Sequence, residues 1–167
     1  MFRPAIPALL ALSLAGAAQA EEAGTLTLDL GGESHSFTLW ADQSDWSGSE
    51  SYASVNIYAR PDGEATRAAY GILTLGFELA GGNTNAPEAS LTRLDGDTRV
   101  KLYSQGDADE GGLTITADSS SVSGDELTVS GSFSGDMGIS ENYGRDIDLS
   151  DAVAFTGTFD VVLGPVQ

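Results

Sequence analysis

The sequence contains no cysteine, so neither disulfides nor thiolate-bound metals can hold it together, and its stability has to come from packing. It contains one histidine, His35, which leaves little from which to build a tight zinc or copper site. Basic residues are scarce: seven Lys and Arg face 25 Asp and Glu, for a formal net charge of −18. Such a charge repels phosphate backbones and anionic lipid heads, which argues against nucleic-acid and membrane-surface partners. It favours cationic partners or metal ions, and it also serves plain solubility. Helix-forming segments are scarce too. Beyond residue 20 only Glu64–Tyr70 favours a short helical turn.

The longest apolar run lies at the start. Arg3 precedes Ala5–Ala18, which is interrupted by Pro7, Ser13 and Gly16. Ala18-Gln19-Ala20 then offers a small-x-small cleavage site before Glu21-Glu22. We read residues 1–20 as a signal peptide, because the apolar core is shorter than the ~20 residues that span a bilayer. Its removal takes one arginine and no acid, moving the formal charge from −18 to −19. Residues 21–167 then form a single acidic β domain, exported to the periplasm or the medium. With no cysteine to acylate and no second long apolar run, no membrane insertion is expected after cleavage.

What remains alternates with period two. Leu26, Leu28 and Leu30 share one face and Gly31-Gly32 follows. Phe37 and Leu39, then Ala53, Val55 and Ile57, then Leu73, Leu75, Phe77 and Leu79 repeat the pattern. Asp95-Gly96 marks a tight hairpin, with Val100 and Leu102 inward and Arg99, Lys101 and Tyr103 outward. Further strands carry Leu113, Ile115 and Ala117; Leu127, Val129 and Phe133; and Val153, Phe155, Phe159, Val161 and Leu163. Gly131 and Gly157 each sit in mid-strand between large apolar residues, which predicts neighbouring core strands with a bulge or close backbone approach. The spacing predicts an all-β fold: an antiparallel β-sandwich or closed barrel of about eight to nine short strands. Gly81–Pro87 and Gly135–Ser150 read as loops. In the second, Ile139, Tyr143 and Ile147 are expected to tuck against the core. An outer-membrane barrel is disfavoured because the polar faces are Ser, Thr, Asn and charge rather than a lipid-facing band.

No catalytic motif stands out. No nucleophile elbow surrounds a serine, and His35 reads as a structural histidine near a turn. Asp107, Asp109 and Asp118 resemble part of an EF-hand calcium loop, but its fifth position is Gly111 and its flanks read as strands. They are weak calcium candidates, and no other cofactor is expected. Carboxylate pairs abound, so a small hydrolase working through two of them is one alternative.

Aromatic residues give the better signal. Trp40 and Trp46 bracket a loop carrying Asp42 and Asp45, and Tyr52, Asn56 and Tyr58 project from the polar side of the next strand. Flat rings beside hydrogen-bonding groups suit a carbohydrate or a protein partner. The expected function is therefore an exported, soluble, non-enzymatic binding or interaction module, with acids steering a cationic partner. Ser47-Gly48-Ser49-Glu50-Ser51-Tyr52 resembles the Ser-Gly-x-x-Tyr loop of bacterial periplasmic lysozyme inhibitors, with one extra residue in the spacing. That resemblance implies a second alternative, a periplasmic inhibitor of a cationic enzyme.

Overall fold

A computed structural model of the protein describes residues 24–166. The leader assigned to residues 1–20 lies outside the described residues. Ten strands follow one another: β1 (Gly24–Leu30), β2 (Glu33–Leu39), β3 (Asp45–Ser49), β4 (Tyr52–Pro61), β5 (Tyr70–Ala80), β6 (Asn83–Asp95), β7 (Thr98–Gln105), β8 (Thr114–Ser123), β9 (Glu126–Ile139) and β10 (Asp148–Leu163). One helix, α1 (Glu64–Ala69), occupies the segment that favoured it. No helix among the described residues is long and apolar enough to cross a membrane.

Period-two alternation produces this architecture, because successive side chains of a strand point to opposite faces. Leu26, Leu28, Leu30, Phe37, Val55, Ile57, Leu73, Leu75, Leu127, Val129, Phe155 and Val161 are all buried in one core. Each such side chain contributes about 1.5–3 kcal/mol of burial. Paired glycines close the β1–β2 and β5–β6 hairpins. Gly31 and Gly32 have φ +61° and +89°, the doubly positive turn that matches strand twist.

All pairings between strands are antiparallel. The order runs β10-β1-β2-β4-β5-β6-β7-β9-β8; β3 pairs β4, and β9 also pairs β10. Two contacts in this path are short. β2 meets β4 only from Phe37↔Pro61 to Leu39↔Ala59, where Pro61 offers no amide proton. β7 meets β9 only at Leu102↔Ile139 and Tyr103↔Gly138. Below that seam the loop after β7 stitches the gap: Leu113 N–H donates to Gln105 C=O at 2.7 Å, and Asp136 N–H to Gly111 C=O at 2.8 Å.

Four sequence expectations change. There are ten strands rather than eight or nine, because Asp45–Ser49 is itself a strand. Nor are all of them short, since β9 and β10 have 14 and 16 residues. Asn83–Pro87, read as loop, begins β6 and pairs through Asn83↔Ala80, Thr84↔Leu79 and Asn85↔Glu78. The loop between β9 and β10 shrinks to residues 140–147, and in and beside it Ile139 is 47 % and Tyr143 88 % exposed rather than tucked inward.

Gly131 and Gly157 face each other's aromatic neighbours across β9 and β10, in the pairs Gly131↔Phe159 and Phe133↔Gly157. A Cβ on Gly157 would lie 2.2 Å from Phe133 Cζ and 2.3 Å from the Thr27 carbonyl oxygen. The phenyl rings occupy the space the glycines leave, which is the close approach their mid-strand position implied.

Candidate functional site

The outer face of β4, β5, β6 and β7 forms a trough, and strand register explains its shape. One cross-strand row reads Tyr58↔Thr74, Thr74↔Ser90, Ser90↔Tyr103. The next reads Asn56↔Gly76, Gly76↔Glu88, Glu88↔Gln105. In the first row large residues on the outer two strands flank small ones on the inner two, and in the second Gly76 leaves room beside Glu88. Three strand spacings of ~4.8 Å separate the Tyr58 and Tyr103 backbones by roughly 14 Å. The Thr74 and Ser90 hydroxyls bond to each other at 2.6 Å and form the floor. The enclosed volume is about 220 Å³, and Lys101 and Tyr143 complete the rim.

Tyr143 arrives from the β9–β10 loop in a left-handed conformation, φ +63°, that a tyrosine rarely adopts. A set of hydrogen bonds holds it there. Ser140 Oγ accepts from Gly144 N–H at 2.8 Å, Asn142 Oδ1 accepts from Asp146 N–H at 2.9 Å, and Gln105 Nε2 donates to Gly144 C=O at 2.9 Å. Gly144 lies against the Tyr103 ring, where a Cβ would meet Cδ1 at 3.0 Å. Tyr103 carries the Lys101 ammonium 5.2 Å from its ring centroid. Burial, and then the nearby Tyr143, push the Tyr103 phenol above its ordinary pKa, so it is a neutral hydroxyl at physiological pH.

The seven aromatic and polar residues singled out from the sequence divide. Asn56 and Tyr58 line the trough, and Asn56 Nδ2 donates to Asp45 Oδ1 at 3.0 Å. Tyr52 is exposed about 20 Å along the same strand face, and the neighbouring Glu78 raises the pKa of its phenol. Trp40 is half-buried, with the Arg60 guanidinium 3.7 Å above its ring. Asp42 is exposed on the 3-10 turn Ala41–Gln43. Trp46 is 6 % exposed and belongs to the core; its indole N–H donates to Asp125 C=O at 3.0 Å. Its ring therefore presents no face to a ligand.

Sequence reasoning missed Tyr103, Tyr143, Lys101 and Gln105 as a group. A signal for part of it existed. The Gly96-Asp97 turn pairs Asp95 with Thr98 and so places Ser90 opposite Tyr103.

The calcium candidates do not gather. Asp107 lines a cleft with Pro87 and Glu110, whereas Asp118 sits at a bulge of β8 and lines a different groove. Among the described residues no three His, Cys, Asp or Glu side chains converge on a possible metal position. Glu88 is the one carboxylate lining the trough. His35 packs edge-on against Tyr70 at 4.6 Å with its Nε2 buried and unpaired. Compared with protein-family models, with curated proteins and with solved structures, the chain matches none of them.

Proposed function

We propose that the protein is an exported, non-enzymatic binding module whose ligand lies in the trough between Tyr58 and Tyr103 under Tyr143. The observation that carries this reading is the presentation of Tyr143. An 88 %-exposed aromatic held at positive φ costs backbone energy, and such outliers cluster at binding sites. The chemistry of the lining favours a neutral carbohydrate chain. Phenol rings take the apolar C–H faces of a sugar, while Thr74, Ser90, Gln105, Glu88 and Lys101 offer donors and acceptors to its hydroxyls.

The fold reading that goes with this is a flattened closed barrel. The return pairing of β9 with β10 supports closure, and the short β2–β4 and β7–β9 seams give it a sandwich-like cross-section. Export and solubility are supported by the leader-like N-terminal sequence and by the outer faces. On β2, β1, β10, β9 and β8 the outward rows Ser36–Thr27–Thr158–Ser132–Thr116 and Ser34–Asp29–Thr156–Ser134–Thr114 carry hydroxyls and an acid where a lipid-facing band would be apolar.

Retention on insoluble β-glucan and chitin tests the site. Wild type is retained, and Tyr143→Ala, which removes an exposed side chain, weakens retention by about 2 kcal/mol, roughly thirtyfold. Equal retention of both proteins, or none by wild type, sinks the carbohydrate reading. An inhibitor of a cationic enzyme stands second, on the net charge of −18 and the exposed β3–β4 hairpin tip at Glu50-Ser51. Undiminished lysozyme activity with the protein in large excess removes it. A two-carboxylate hydrolase is not adopted, because the trough offers Glu88 without a second acid opposite it.

A further inference from the structure

The outer edge of β8 supports an inference that does not depend on the trough. β8 pairs β9 on one side, and among the described residues no strand pairs the other. Near its start that second side is closed. Leu113 N–H bonds Gln105 C=O, and the Thr84 hydroxyl donates to Ile115 C=O. In an antiparallel strand the N–H and C=O of one residue point the same way, so Ile115 and Ala117 turn away from β9. The register shift between Ala117 and Ser119 inserts Asp118 and resets the alternation. From there Ser120 and Val122 direct their backbone groups to the open side.

Beyond the bulge and Asp118 the edge carries little protection. Thr114–Ser123 contains no proline, lysine or arginine, and Ser119, Ser120 and Ser121 are exposed. Facing it is a groove of about 400 Å³, walled by Ser49, Glu50 and Ser51 of the β3–β4 hairpin and by Gly81 and Gly82 of the β5–β6 turn. Its lining carries two carboxylates, Glu50 and Asp118, and no cation.

We propose that this edge receives an extended cationic peptide segment by β-strand addition. The incoming backbone bonds Ser120 and Val122, and its Lys or Arg side chains reach toward Glu50 and Asp118. Charge selects the occupant: a second copy of this chain would bring together two bodies of like strong charge.

A fluorescein-labelled peptide of alternating Lys and Val, followed by anisotropy, tests this. A control carries the same residues with alternate backbone nitrogens methylated, which keeps the charge and removes strand donors. The parent peptide binds saturably. The methylated control binds about tenfold more weakly or worse, as does the parent peptide with Asp118→Lys or Ser120→Pro. Amide exchange at Ser120 and Val122 slows in the complex. Ser120→Pro removes an N–H that faces away from β9, so the fold survives it; if its circular dichroism shows otherwise, the methylated control and Asp118→Lys decide. Equal binding of parent and methylated peptides overturns strand addition, because charge alone then explains binding. So does a concentration-dependent dimer that protects the same amides and excludes the peptide.

Discussion

At Tyr143 the backbone adopts a conformation that costs a non-glycine residue about 1–2 kcal/mol, and the hydrogen bonds of Ser140, Asn142 and Gln105 hold it there. Tyr143→Gly removes that strain and also the ring. It should leave thermal stability unchanged or raised by up to about 1 kcal/mol while ligand binding falls, and a melting curve beside a binding assay checks both. A joint loss of stability and binding would make Tyr143 a packing residue. His35 gives the converse case. Its Nε2 is buried with no partner, so an apolar ring of similar shape should be tolerated. His35→Phe is expected to melt at or above the wild-type temperature; a drop of several degrees would mean that the imidazole makes a bond essential to the fold. The site was only partly legible at this scale. Asn56 and Tyr58 stood out because they alternate on one strand, whereas Tyr143 joins them through a turn conformation that no period in the sequence encodes. Trp46 misled because aromaticity near acidic residues looks alike in a core and on a surface.

Among the elements, β9 and β10 carry the clearest sequence-to-structure link. Their shared motif of glycine between large apolar residues became a reciprocal pairing in which each glycine lies opposite the other strand's phenylalanine. Gly157→Ala would drive a methyl into Phe133 and the Thr27 carbonyl, and we expect a loss of about 3 kcal/mol or more, read as a shifted denaturation midpoint. A loss under about 1 kcal/mol would mean that the sheet yields there more easily than described. Strand existence was legible wherever Leu, Val, Ile and Phe alternated. It was not legible in β3, whose sequence Asp-Trp-Ser-Gly-Ser has one apolar residue, because a strand needs only a partner's backbone to form and β4 supplies it. The start of β6 was hidden for a similar reason: Asn, Pro and an Ala at φ +44° suit turns, yet Asn83 and Thr84 pair with β5.

For the molecule as a whole, charge dominates. One ion pair, Arg67–Asp62 at 3.5 Å and solvent-exposed, is found among the described residues, so little offsets the mutual repulsion of 25 acids. Moderate salt should therefore stabilise the protein, by about 1 kcal/mol or roughly 2–4 °C between low and physiological ionic strength. A melting temperature that falls with salt would contradict a repulsion-limited surface. The two outer faces differ in kind, with hydroxyl rows on β2, β1, β10, β9 and β8, and a tyrosine-flanked trough on β4 to β7. Composition announced the acidity and period-two spacing the all-β class, but which face carries the candidate site depended on register. The chain has five tyrosines, and three of them, Tyr58, Tyr103 and Tyr143, line the trough. Incorporation of 3-fluorotyrosine therefore makes fluorine NMR a direct test, with soluble β-glucan and chitin oligosaccharides as probes. The account predicts that the resonances of these three move together on titration while those of Tyr52 and Tyr70 stay fixed. Shifts confined to Tyr52 and Tyr70, or five unmoved resonances at saturating oligosaccharide, would contradict it.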